Sequence, residues 1–133
     1  MEWYVLLAWV NVGLAAFNAG LFLIKWAIKR ASQGKEPAIR KAWMQKIQLF
    51  SKIHRLTGLL LIVFGLLHGY LALGNRIAWH TGMLLWISIL LIFAIFLLGK
   101  AKIIKAWVQW HRIADLCFWG LLLLHLLNPW LFL

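Results

Sequence analysis

Four stretches of this chain are apolar and almost free of charge over the length a membrane demands, and that decides most of what it can fold into. A helix crossing a hydrocarbon core about 30 Å thick needs roughly 20 mostly apolar residues. Residues 3–24, 56–75 and 77–99 carry no charged side chain, and 113–133 carries only Asp115. Lipid offers no hydrogen bonds, so each stretch must satisfy its own backbone, as a helix does. A soluble domain is the competing solution, but 65% of the 133 residues are hydrophobic and the mean hydropathy is +0.87. A globule this small cannot hide so much apolar surface. The pattern predicts an all-α membrane protein: one domain over 1–133, a bundle of four transmembrane helices near 3–28, 53–74, 77–98 and 108–132.

The charges orient that bundle. Fourteen Lys and Arg against three acidic residues give a net +11, a balance that would suit nucleic acid if it were spread over a surface. It is segregated instead. Nine of the fourteen lie between Lys25 and Arg55, four between Lys100 and Arg112, and Arg76 stands alone between helices 2 and 3. The positive-inside rule then places the 1–2 and 3–4 connections in the cytoplasm, with both termini and the 2–3 connection outside. The expected location is the cell (inner) membrane, multi-pass, with lipid as a partner and no nucleic acid. The leading Met1-Glu2 is not basic, and the cations follow the first apolar run, so that run is not a cleavable signal.

Within the first basic connection, Pro37 suits a helix start. Ile39, Ala42, Trp43, Ile47 and Phe50 recur at helical spacing among Arg40, Lys41 and Lys46. This predicts an amphipathic helix lying in the interface before helix 2. Seven of the ten tryptophans fall near helix ends, Trp107 among them, as an interfacial belt would have it. Asn11 and Asn18, beside small residues of helix 1, read as a packing face, with a quinone or haem-edge lining as the rival. The single cysteine, Cys117, sits off the histidine face and reads as a packing residue, and it excludes a disulfide within the chain.

The chemistry lies in the histidines. H-R-L-T-G-L-L-L-I-V-F-G-L-L-H runs from His54 to His68, and H-R-I-A-D-L-C-F-W-G-L-L-L-L-H from His111 to His125. Fourteen residues is close to four turns, so each helix shows both imidazoles on one face, about 21 Å apart along its axis. Helices 2 and 4 run the same way, so His54 matches His111 in depth near the cytoplasmic surface, and His68 matches His125 near the outer one. Ionisable groups inside a membrane are costly and mark function. Zinc wants three or four protein ligands, and little beyond Asp115 stands near to supply them. Haem wants two axial ligands and an apolar slot. The expectation is therefore two haems b, with iron held by His54 and His111 at the inner level and by His68 and His125 at the outer. Gly58 and Gly65, on the same face as His54, would give the macrocycles room. Arg55 and Arg112 would meet the inner propionates or else snorkel to the interface. Asp115 would pair with Arg112 or accept a hydrogen bond near a haem. His80, opening helix 3 in W-H-T-G, reads as a packing histidine near the outer surface, with proton handling or quinone contact as its functional alternative.

These paired histidines resemble the two-haem core of membrane cytochromes b. They are similar to the ferric-reductase-type transmembrane domain and to the haem-binding helices of the cytochrome b in quinol-oxidising complexes. The resemblance covers residues 45–133, chiefly helices 2 and 4. It implies a di-haem electron-transfer subunit moving electrons between a cytoplasmic redox partner and the quinone pool or an outer acceptor. Ferric reductases of this kind continue into flavin- and NADPH-binding domains, and the 133 residues hold none. A separately encoded flavin or iron–sulfur subunit, within a larger membrane complex, is the expected partner, and quinone the expected small-molecule mate. Two other readings stand beside it. One is a stand-alone membrane metal or quinone reductase; the other is a haem-free assembly or interaction protein.

Overall fold

The computed structural model describes residues 2–131, and all of its regular structure is helical. The helices are α1 (Trp3–Ala31), α2 (Pro37–Ala72), α3 (Thr81–Lys100) and α4 (Trp107–Leu127). Each is long and apolar enough to span a membrane. The chain is a multi-pass, four-helix membrane protein. Residue 132, where the sequence pattern ends the fourth helix, lies outside the described residues.

Local chemistry explains the boundaries. Helix α2 ends where Gly74 takes a left-handed φ of 61°, its N–H bonding the Leu71 carbonyl while Asn75 N–H reaches Tyr70. That pair of bonds satisfies the last carbonyls of the helix, and glycine enters the required conformation at no steric cost. Helix α3 starts at Thr81 rather than 77, because the His80 imidazole caps it by accepting from Gly82 N–H at 3.1 Å. Helix α4 stops at Leu127 because Asn128 precedes Pro129, and the residue before proline is pushed out of the helical region.

The largest departure from expectation is α2. The basic amphipathic segment from Pro37 is not a separate interfacial helix; it runs unbroken into the membrane helix as one element of 36 residues. No glycine or further proline interrupts residues 38–57, and Ala, Arg, Lys, Met, Gln and Leu all favour helix. At about 1.5 Å per residue the element measures about 54 Å, well beyond one hydrocarbon thickness.

The chain forms two hairpins. Helix α1 packs along α2 and α3 along α4, while α2 meets α3 over a smaller area. No Cα of α2 comes within 8 Å of a Cα of α4. In the middle of the bundle this separation is filled by a small buried cluster of Ala15, Leu61, Ile89, Phe118 and Leu122. Leu61 lies seven residues from both His54 and His68, and Phe118 seven from both His111 and His125. Seven residues return to nearly the same helix face. Each facing stripe therefore reads histidine, apolar plug, histidine.

Candidate functional site

The fold brings the histidines together in two pairs. Ring centres are 6.3 Å apart for His54–His111 and 6.4 Å for His68–His125, with ring planes inclined at 66° and 76°. Each pair therefore leaves room for one group between two imidazoles. The His80 ring stands equally close to His125, at 6.3 Å, so protonation rather than separation must distinguish it.

Hydrogen bonds fix which nitrogen is free. A carbonyl can only accept, so His68 Nδ1–H donates to Tyr4 O at 2.8 Å, and His111 Nδ1–H to Ile92 O at 3.2 Å. The Thr81 hydroxyl contacts His125 Nδ1 and Pro129 O, both at 2.8 Å, and Asn128 O at 3.3 Å. Its one proton must go to a carbonyl, so His125 Nδ1–H donates to the Thr81 oxygen. Three imidazoles thus carry their proton on Nδ1 and leave Nε2 as a lone pair, the arrangement that orients a metal-ligating histidine. His54 Nδ1 is buried with no partner. His80 has the opposite tautomer, because its Nδ1 accepts from Gly82 and its Nε2 carries the hydrogen.

That separates His80 from the other four. It is a buried cap, 6.3 Å from the His125 ring and 6.2 Å from Trp130, and it presents a donor. With His68 and His125 it lines a mainly apolar, partly open cavity of about 700 Å³ to which all four helices contribute. This lies within the range of cofactor pockets, roughly 300–1,000 Å³.

The other expected site residues divide. Gly58 faces open space, so a side chain there would enter the region the α2 face looks into. Gly65 lines the cavity and also admits Trp86, whose Cδ1 would lie 3.3 Å from an added Cβ and whose Nε1–H donates to Ile62 O at 3.0 Å. Arg55 turns back along its own helix, Nε–H donating to Ser51 O at 3.3 Å. Arg112 places its guanidinium over the Phe22 ring at 5.6 Å rather than on Asp115, whose electrostatic neighbour is His111. Cys117 is exposed on the outer surface of the bundle, so it is not a packing residue.

Several supporting residues escape the sequence pattern. Thr81 is fully buried and holds His125. Gly82 must lack a side chain, since a Cβ would stand 2.6 Å from His80 Cε1 and 3.0 Å from His125 Cε1. Gly99 seats the Trp107 indole, which lies edge-on to His111 at 6.2 Å between ring centres. Trp107 thus packs against a site residue as well as marking a helix end. Lys25 of α1, half-buried, bears electrostatically on both His54 and His111.

Together these features define a four-span helical membrane protein with two imidazole pairs at two depths. No family model matches the chain, and neither a curated protein nor a solved structure does.

Proposed function

We propose that the chain is a di-haem cytochrome b subunit that carries electrons across the membrane, between a cytoplasmic flavin or iron–sulfur partner and quinone or another outer acceptor. The observation that supports this reading is the pairing of one histidine of α2 with one of α4 at each of two levels, His54 with His111 and His68 with His125, about 21 Å apart along the helices. The donor set suits haem better than zinc. Among the described residues no three His, Cys, Asp or Glu side chains converge as a zinc site with protein ligands would require, whereas haem iron needs two. When bound, haem supplies reversible one-electron exchange at an iron with no open position.

The chain's own residues do the rest. His54 and His111 would hold one group, His68 and His125 the other. Nδ1 donation to Tyr4, Ile92 and Thr81 keeps three ligands facing inward. Leu61 and Phe118 keep the space between the levels dry. Placing the basic end in the cytoplasm, with Lys and Arg presented to an acidic partner, follows from the charge asymmetry.

The test is purification in mild detergent, with haem quantified per chain and reduced-minus-oxidised absorbance recorded. Two low-spin haems b are expected, with His54→Ala and His68→Ala each removing one. A colourless protein from haem-replete cells would refute the reading and favour a haem-free assembly role.

A further inference from the structure

The two hairpins end at different heights on the basic side of the bundle. Helix α2 starts at Pro37, well before His54, whereas α4 starts at Trp107, one turn before His111. His54 and His111 face each other, so α2 rises about 25 Å beyond the pair and α4 about 6 Å. Gly99 packs on Trp107, which makes α3 end level with α4. The step between the hairpins is about 20 Å high, and a headgroup layer is only about 5–8 Å thick. Because α2 is unbroken, its first turns cannot fold down on the membrane surface and stand in water beyond the step's foot.

Residues 29–52 hold seven Lys and Arg, all exposed, against one carboxylate, Glu36. Two of these cations lie on tryptophan faces, Arg30 over Trp26 at 5.0 Å and Lys46 over Trp43 at 5.1 Å. Trp43 and Met44 stand five turns above Leu61 and Ile62, and so point the same way. Leu61 meets the plug and Ile62 accepts from Trp86 of α3, so Trp43 and Met44 look out over the ends of α3 and α4. There Met44 is 45% exposed, and at the foot of the step exposed Lys100 and Lys105 flank Ile103, itself 69% exposed. Apolar side chains inside a charged rim make up a protein-docking surface. A second copy would bring like charge, and headgroups reach only the foot; the cations select a partner of opposite sign. We propose that this step, walled by Arg40, Trp43 and Met44 and floored by Lys100, Ile103 and Lys105, is the docking surface of an acidic soluble protein. Docking there would seat the soluble partner of the electron-transfer reading directly over the His54–His111 pair; only the partner's redox role rests on that reading.

The test puts photoreactive benzoylphenylalanine into the full chain, in the cells that make it, at Trp43 and separately at Gln45, about 160° away around the helix. Irradiation should join position 43 to one soluble protein of net negative charge, and position 45 to that protein at least tenfold less. Lys100→Glu with Lys105→Glu should cut the adduct at least tenfold, and so should Arg40→Glu. Thermal unfolding in detergent identifies a variant that fails to fold, and the other then decides. The joined protein, once purified, should bind the full chain in phosphatidylcholine nanodiscs. That binding should weaken about tenfold or more from about 0.1 to 1 M salt, as the screening length falls from about 10 to 3 Å. Adducts only with lipid, nucleic acid or a second copy, equal yield from both positions, no adduct, or binding indifferent to charge reversal and salt would each overturn the assignment. Haem is counted in the same membranes. A face-selective adduct without haem keeps the docking surface and sinks the electron-transfer reading; two haems without that adduct do the reverse.

Discussion

Replacing Thr81 by valine removes one oxygen and keeps the shape, and its cost can be worked from the contacts. Thr81 is 0% exposed, and its hydroxyl joins His125 Nδ1 to Pro129 O at 2.8 Å each. Valine strands both groups. A buried polar group left unsatisfied costs about 1–3 kcal/mol, while hydrogen bonds between membrane helices average nearer 0.6 kcal/mol because the lipid-embedded reference state finds other partners. Two stranded groups in a fully enclosed spot give about 2–4 kcal/mol. For a chain of this size that is a fall of roughly 6–15 °C in unfolding temperature. Thr81→Ser keeps the hydroxyl and loses one methyl, worth about 0.8 kcal/mol. The assay is thermal unfolding in detergent followed by circular dichroism, with absorbance spectra alongside. If the proposed haems are bound, the spectral component lost in His68→Ala should broaden in Thr81→Val and recover in Thr81→Ser. Equal unfolding temperatures for parent and Thr81→Val, with unchanged spectra, would refute the claim that Thr81 holds His125.

Two further substitutions probe the other supports. In Gly99→Ala the new Cβ would run into the Trp107 indole, which must shift; overpacking of this kind costs about 1–3 kcal/mol, and absorbance should change only in the component lost in His54→Ala. Thr57→Val leaves Asn18 Oδ1 without its donor; the expected loss is about 0.6–1.7 kcal/mol in chemical unfolding, with haem content unchanged.

Much of this architecture is legible along the chain because it rests on two periods. Runs of about 20 apolar residues mark the spans, and the fourteen-residue interval between histidines places His54 with His68, and His111 with His125, on single faces. Pairing across helices follows from the parallel directions of α2 and α4. What the pattern misses depends on neighbours from elsewhere in the sequence. Thr81 and Gly82 matter because His125, over forty residues away, lies against them; Gly99 matters because Trp107 folds back on it. Asn11 and Asn18 look equivalent until α2 supplies Thr57 to one alone. Basic amphipathic residues describe a surface helix and the first turns of a protruding one equally well, so the unbroken run of α2 was not readable either.

The separation of α2 from α4 has a thermodynamic consequence. Lipid tails are as apolar as leucine, so hairpins in a membrane gain little from apolar contact and associate through close packing and hydrogen bonds. Helices α1 and α2 have the Asn18–Thr57 bond, and α3 packs closely on α4, while the hairpins meet through the smaller α2–α3 contact, with its single Trp86–Ile62 hydrogen bond among the described residues, and the central plug. A group ligated by one histidine from each hairpin would bridge them at both levels. Ligand that binds only the joined form adds RT ln(1 + [L]/Kd), about 2.7 kcal/mol at a hundredfold excess over Kd. If the chain holds the haems proposed above, their depletion should therefore loosen the joint between hairpins before it unfolds either one. Hydrogen exchange should quicken around residues 73–80 and at Leu61 and Phe118, while amides along the α1–α2 contact near Thr57 keep their protection. Uniform loss of protection across both hairpins would show a single cooperative bundle, and the bridging argument would fail.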